Sequence, residues 1–160
     1  MMVVRFDLVI APPAAPAAGA PPWEVVVRRG AAELARFPLA VDGDPATGKT
    51  VDALRAGTAT AADVRALGDR LYAALIAPAR DAIAAAIGDA TVIELGLWFA
   101  KAQTLAGLPW EMMRGPDGFL AAGVTIAGKR IDVVITRRFE RARVATPALA
   151  APLRYLFAIG

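Results

Sequence analysis

Residues 61–77 have the pattern of an amphipathic helix, and strand-like segments lie on both sides of them in the sequence. Thr60 and Asp63 have the spacing of a capping box, the side-chain arrangement with which many helices begin. Apolar residues follow at spacings of three and four and therefore share one helical face. These residues are Val64, Leu67, Leu71, Leu75 and Ile76. Pro78 ends this helix, and residues 80–87 predict a second, shorter one.

Three strand-like segments precede the long helix. Residues 3–10 and 23–29 are rich in β-branched side chains, and residues 33–41 follow after a short turn. The three segments predict an antiparallel meander, in which Pro38 confines the third strand to an edge of the sheet. Residues 42–57 are expected to form a loop.

The second half of the chain adds further strands. Residues 91–99 are mostly apolar, so we expect a central strand that is covered on both faces. Residues 124–126 and 131–136 flank a glycine-containing turn and predict a hairpin. Short helical turns are expected at residues 103–107 and 108–113. This order of elements predicts an α+β fold, in which two helices pack on a mixed sheet.

Composition excludes several kinds of chemistry. The chain has 160 residues, enough for one domain, and contains neither cysteine nor histidine. It therefore has no thiol nucleophile, no Ser/His/Asp triad and no ordinary zinc site, and we expect no enzyme activity, cofactor or metal. Asp7 and the following prolines interrupt the apolar N-terminus, and no apolar run is long enough to span a bilayer. We expect a cytoplasmic protein that does not bind membranes.

One segment matches a phosphate-binding motif. Gly43, Gly48, Lys49 and Thr50 fit the pattern G-x-x-x-x-G-K-[ST], which holds phosphates and Mg²⁺ between a central strand and a helix. Here the preceding segment contains a proline and belongs to the expected meander, so we favour a surface loop. A small protein that binds Mg-ATP or Mg-GTP is the alternative. Saturable Mg-ATP binding that a Lys49→Ala variant loses would decide for it.

Two clusters of charged residues allow further interpretations. A divalent cation near the motif would need acidic ligands such as Asp42, Asp44 and Asp52, but solvated loop carboxylates are the favoured interpretation. Contact with phosphates of a nucleic acid would use a basic cluster, formed by Arg137, Arg138, Arg141 and Arg143. A net charge of +3 does not by itself indicate such a partner, and we favour a solvated or salt-bridging surface.

The segment Leu108-Pro109-Trp110-Glu111 concentrates a large aromatic side chain and a carboxylate in one short turn. A buried tryptophan needs an acceptor for its indole N–H. Glu111 could supply that acceptor, cap a backbone group, or pair with an arginine such as Arg114. The residues alone favour a structural turn that fills the gap between sheet and helices, with Leu108, Trp110, Met113 and Phe119 as its apolar members.

The order of these elements resembles the N-terminal part of CHAT-domain proteins, a bacterial family that is caspase-like and separase-like. The resemblance is carried by Leu108, Pro109, Trp110 and Glu111 and by an apolar segment at residues 153–159. It implies an N-terminal α+β module over residues 1–146, followed by a linker and the first strand of a caspase-like α/β core over residues 147–160.

The family's catalytic His and Cys have no counterpart in this chain, so the resemblance implies no catalytic residue here. It implies a non-catalytic module that positions or regulates a downstream peptidase core or a partner by protein–protein contacts. The turn at Leu108, Pro109, Trp110 and Glu111 would have a structural or docking role. Residues 153–159 also suggest weak self-association, because a strand without a neighbour leaves backbone groups unpaired.

Overall fold

The computed structural model describes residues 2–15, 18–19, 21–41, 45–126 and 128–139. The strands in these residues are β1 (Val3–Ala11), β2 (Trp23–Arg29), β3 (Ala32–Leu39), β4 (Val92–Phe99), β5 (Arg114–Gly115), β6 (Gly118–Phe119), β7 (Val124–Ile126) and β8 (Lys129–Phe139). The α-helices are α1 (Pro45–Arg55), α2 (Ala61–Leu75), α3 (Arg80–Ala86) and α4 (Gln103–Ala106). Single turns of 3₁₀-helix lie at Ala77–Ala79, Trp110–Met112 and Leu120–Ala122.

Six strands form one mixed sheet in the order β3-β2-β1-β4-β8-β7. The pairs β1–β2, β2–β3 and β7–β8 are antiparallel, which confirms the predicted meander and hairpin. In the centre, β4 is parallel to both β1 and β8. The predicted α+β fold with helices on a mixed sheet is therefore confirmed.

β3 lies at one edge of the sheet, as Pro38 predicted. Its Arg36 guanidinium donates hydrogen bonds to Glu33 at 2.8 and 2.9 Å and pairs with Glu24 on β2. These hydrogen bonds raise the pKa of Arg36, and the bond from Arg36 lowers the pKa of Glu33. Proline and charged side chains on an edge strand discourage pairing with another chain.

The core lies between one face of the sheet and the helices. Alternate residues of β1 point into it, because successive side chains of a strand face opposite sides. Phe6, Leu8 and Ile10 are fully buried there, together with Leu67 and Leu71 of α2. We call this side of the sheet the inner face and the opposite side the outer face.

The prediction of a loop over residues 42–57 was wrong, because α1 spans Pro45–Arg55. Proline fits the first helical position, where no amide donor is needed. Thr47 and Val51 are four residues apart and both buried, so the helix presents one narrow face to the core. It ends before Gly57, whose φ of 70° is the left-handed conformation that commonly follows a helix.

The long helix was predicted well. The Thr60 hydroxyl accepts a hydrogen bond from the Asp63 amide at 3.2 Å, and the Asp63 carboxylate accepts one from the Thr60 amide at 2.8 Å. This is the predicted capping box. Hydrogen bonds from the Thr60 hydroxyl and amide lower the pKa of Asp63. The predicted apolar face is buried at Leu67, Leu71 and Leu75.

Several predictions concern residues outside the described ones. The linker and final strand expected over residues 147–160 lie there. So do Asp42, Gly43, Asp44, Arg141 and Arg143. Among the helices that the structure does describe, none is both long and apolar enough to cross a membrane.

Candidate functional site

The segment 108–113, which we call the tryptophan turn, is built around a fully buried side chain. Trp110 has no exposed surface, and its indole Nε1 donates a hydrogen bond of 2.8 Å to the Leu105 carbonyl oxygen. Its ring lies 6.2 Å from that of Phe99, between centroids, at a tilted angle of 34°. The acceptor is thus a backbone carbonyl at the end of α4 and not Glu111. Trp110 is a core residue and offers no surface for docking.

Glu111 pairs with an arginine, but with Arg137 of β8 instead of the suggested Arg114. The Arg137 Nε donates to Glu111 Oε1 at 2.7 Å, and Nη2 contacts the other carboxylate oxygen. Arg137 Nη1 also donates to the Ala106 carbonyl oxygen at 2.7 Å. Arg114 instead pairs with Asp69 of α2 at 2.8 Å. One guanidinium therefore ties the tryptophan turn and α4 to the sheet.

The pKa of Glu111 reflects two opposed causes. Burial of the carboxylate raises the pKa, and the hydrogen bonds from Arg137, a backbone hydrogen bond and the Arg137 charge lower it. The lowering causes prevail, so the pKa of Glu111 lies below its usual value. Glu111 is therefore ionised at neutral pH and acts as an anchor for Arg137.

The apolar members of the turn differ in part from the prediction. Met113 is fully buried and Leu108 packs against the core, as expected. Phe119, however, has 36% of its surface exposed, and the neighbouring Leu120 is the buried residue. A 3₁₀ turn begins at Leu120, and it directs that side chain inward.

The tryptophan turn and the chain after it approach α2 closely at two glycines, Gly68 and Gly115. A Cβ added to Gly68 of α2 would lie 2.2 Å from the Met112 carbonyl oxygen. A Cβ added to Gly115 would lie 2.7 Å from the ring of Tyr72. The backbone of residues 112–115 thus approaches the helix more closely than any larger residue at these two positions would allow.

The structure places the described part of the phosphate-binding pattern in a helix. Gly48, Lys49 and Thr50 all belong to α1, which begins at Pro45. The amides of Lys49 and Thr50 lie beyond the free first turn of the helix, and the Thr50 hydroxyl donates to the Ala46 carbonyl oxygen at 3.0 Å. The strand before α1 is the edge strand β3, whereas the motif follows a central strand. This geometry does not favour phosphate binding.

The charged candidates that the structure describes are Asp52, Arg137 and Arg138. Asp52 pairs with Arg55 at 3.4 Å on the surface of α1. Among the described residues, no group of three or more acidic side chains is arranged to hold a metal ion. Arg137 and Arg138 are neighbours in β8, so they point to opposite faces of the sheet. They do not form one basic surface.

The outer face of the sheet carries a cluster that sequence reasoning did not identify. The outer cluster consists of Arg5, Asp7, Glu94, Trp98 and Arg138, on three adjacent parallel strands. Asp7 Oδ1 accepts hydrogen bonds from Arg5 Nε at 2.9 Å, Arg5 Nη2 at 2.7 Å and Trp98 Nε1 at 3.0 Å. The Arg138 guanidinium lies 5.3 Å from the Trp98 ring centroid and 3.5 Å from Glu94 Oε1. These contacts fix the Trp98 ring.

The sequence did contain a signal for this cluster. Glu94, Gly96 and Trp98 occupy every second position of β4 and therefore share one face. The expectation that β4 is central is confirmed, but among the described residues its outer face is only partly covered. Glu94 and Trp98 are half-buried, and the buried outer-face residues Val26 and Val92 are not part of the core cluster. The strand is mostly apolar, so the polar side chains of Glu94 and Trp98 at alternate positions were overlooked.

Comparison with known proteins assigns no family, because no family model, no curated protein and no solved structure matches this chain. The resemblance to CHAT-domain proteins therefore stays a prediction, which depends on the sequence features given above.

Proposed function

We propose that this domain is a non-enzymatic protein-interaction module, and that it binds a partner protein through the outer face of its sheet. The resemblance to CHAT-domain proteins implies a more specific form of this proposal, in which the domain is the N-terminal module of a CHAT-type protein. It then acts in the cytoplasm and positions or regulates a downstream caspase-like core. The outer cluster is the single observation that supports the proposal most.

The position of the cluster is unusual for a surface. Parallel strands are normally covered on both faces, because helices pack above and below them. Here the centre of the sheet is parallel, and its helices pack against the inner face only in the described part of the chain. A partner on the outer face would give β1, β4 and β8 the usual second layer.

The composition of the outer face fits a protein partner. Tryptophan, tyrosine and arginine are the residues most enriched among those that dominate binding at the centres of protein–protein interfaces. Trp98 lies at one end of the outer cluster, and two exposed aliphatic side chains, Val3 and Val134, lie on the same face further along β1 and β8. Such a surface has an aromatic anchor, apolar neighbours and charged groups that can exchange partners on binding.

The outer cluster is also preorganised. Three donor atoms converge on one oxygen of Asp7, and Gly96 leaves the room that this arrangement needs. A Cβ at Gly96 would lie 2.8 Å from Asp7 Oδ1 and 3.3 Å from Arg5 Nη2. Side chains that are fixed before binding lose less conformational entropy when a partner arrives. The cluster is thus arranged like a binding surface and not like solvated charges.

The test compares residues 1–160 with the product of the native gene, whose intact mass and reading frame are determined first. A longer product with a His-Gly and a later Cys would support the CHAT-type form. Hydroxyl-radical footprinting of Trp98 is then measured in both proteins, or with a copurifying partner if the product ends at Gly160. Trp110, which is fully buried, serves as the internal reference.

We expect Trp98 to be oxidised several-fold more slowly in the native product or complex than in residues 1–160 alone. Arg138→Gln should weaken binding of the partner about tenfold or more, as expected for a central interface residue. Arg55→Gln removes the same charge from exposed α1 and should leave binding unchanged. Equal oxidation of Trp98 in both samples would refute an interface on this face.

A further inference from the structure

A cleft opens on the inner side of the sheet, where α2 ends and α3 begins. The chain from β5 to β7 forms its opposite side. The space between these walls, counted together with the solvent at the open side, amounts to about 580 Å³.

The walls of the cleft are aliphatic. Ile76 and Ile83 line it from the helices, and Ile93, Leu95 and Val133 line it from β4 and β8. Glycines and a proline in the turn between β5 and β6 form part of its rim, and these residues add little side-chain volume that could fill it. Such a surface favours an apolar ligand body, because burial of hydrocarbon is the main source of affinity in such sites.

Among the described residues that line the cleft, one has a cationic side chain. Arg80 lines the cleft, and no described residue forms a hydrogen bond or ion pair with its guanidinium. Asp117 also lines the cleft, but its carboxylate already accepts a hydrogen bond of 3.0 Å from the Thr125 amide. The cleft therefore combines an apolar interior with a guanidinium that is available to an anion.

The hydrogen bond from the Thr125 amide to the Asp117 carboxylate argues against a peptide strand as the ligand. β7 forms the edge of the sheet next to the cleft, and an added strand would need its outward amides. The Thr125 amide, in the middle of β7, is already occupied by Asp117. A compact ligand with a single anionic group fits this surface better.

We propose that the cleft between α2, α3 and β7 binds a small monocarboxylate with a hydrocarbon body, which packs against the aliphatic walls while Arg80 binds its carboxylate. This site is separate from the outer face and does not depend on the proposed interaction with a partner protein.

The probe is sodium octanoate, titrated into residues 1–160 and followed by NMR of the isoleucine methyl groups and by calorimetry. Ile76, Ile83 and Ile93 report on the cleft. The titration extends to about 10 mM, because a ligand of about ten heavy atoms at ordinary ligand efficiency binds in the millimolar range. Octylammonium is the charge-reversed control with the same chain length.

Two arginine variants form a matched pair. Arg80→Gln removes the proposed carboxylate partner, and Arg65→Gln removes the same charge from an exposed position of α2 that does not line the cleft. Both side chains are exposed, so neither variant should prevent folding, and circular dichroism checks this. Asp117→Asn tests the second charged group of the rim.

We expect saturable shifts of the three cleft methyl groups with octanoate and weaker binding of octylammonium. Arg80→Gln should weaken octanoate binding about tenfold, the loss expected for one charge-assisted hydrogen bond. Arg65→Gln should not weaken it, and Asp117→Asn should leave it equal or tighter. No saturable shift up to the highest concentration, equal binding of octylammonium, or equal binding by the Arg80 variant would each overturn the proposal.

Discussion

The close approach between α2 and the tryptophan turn predicts that Gly68→Ala destabilises the domain. A Cβ at this position would lie 2.2 Å from the Met112 carbonyl oxygen and 3.0 Å from the Arg114 Cβ. The first atom is backbone, so it cannot move aside by a change of rotamer. To restore van der Waals contact, residues 112–114 must move away from α2 by about 1 Å.

That movement would disturb the packing of Trp110. The Met112 amide donates to the Pro109 carbonyl oxygen at 2.9 Å and the Met113 amide to the Trp110 carbonyl oxygen at 3.1 Å, so the turn moves as one unit. Overpacking of this kind costs about 1–3 kcal/mol, and the higher helix propensity of alanine offsets up to about 1 kcal/mol of it. We expect a net loss of about 1–2 kcal/mol in the free energy of unfolding.

Gly48→Ala is the matched control. Gly48 also lies inside a helix, but a Cβ there would have no atom within 4 Å. Only the higher helix propensity of alanine applies, so this variant should be more stable than the parent protein by about 0.5–1 kcal/mol. Urea unfolding, followed by circular dichroism and tryptophan fluorescence, measures both variants. If Gly68→Ala were stabilised as much as Gly48→Ala, the close approach of the turn to α2 would be refuted.

Three further predictions concern the same elements. Trp110→Ala should lower the free energy of unfolding by about 3–5 kcal/mol, because it leaves a large cavity. If the variant unfolded at the same urea concentration as the parent protein, Trp110 would not be buried. Glu111→Gln should cost about 0.5–1 kcal/mol at neutral pH, since it removes a partly exposed ion pair with Arg137. The pKa of Glu111 is lower in the folded than in the unfolded state. The loss of stability should therefore be complete above about pH 4.5 and should disappear as the pH falls through the folded pKa. A loss that does not change with pH would contradict this role of the Glu111 carboxylate. Thr60→Ala should cost about 1 kcal/mol through loss of the N-cap of α2, whereas Thr58→Ala, outside the capping box, should cost less in the same unfolding measurement.

Elements with strong local signals could be predicted from the sequence. β2 begins and ends at the predicted residues, because β-branched side chains and a following glycine mark it. α2 has a capping box at one end and Pro78 beyond the other, so both boundaries are encoded within a few residues. α1 was missed because its first residues match a loop motif and only Thr47 and Val51 of its narrow face are buried.

Contacts between distant residues could not be predicted in the same way. Glu111 is three residues from Arg114 but pairs with Arg137, which is 26 positions away. That choice follows from the register of β8 against β4, in which Arg137 lies opposite Leu97 on the inner face. Sequence periodicity gives the faces of a strand, but it does not give the register between strands. The outer cluster depends on the same register, since Trp98 lies opposite Arg138.

The two neighbouring arginines of β8 show how alternation along a strand divides one basic run between two roles. Arg137 points to the inner face and ties the tryptophan turn to the sheet through Glu111 and the Ala106 carbonyl oxygen. Arg138 points to the outer face and stacks on Trp98. A nucleic-acid surface would need both charges on one side, free of carboxylate partners, and here each has a partner on its own side. Arg137 therefore serves the stability of the domain, and Arg138 belongs to the surface through which we propose that it binds other proteins.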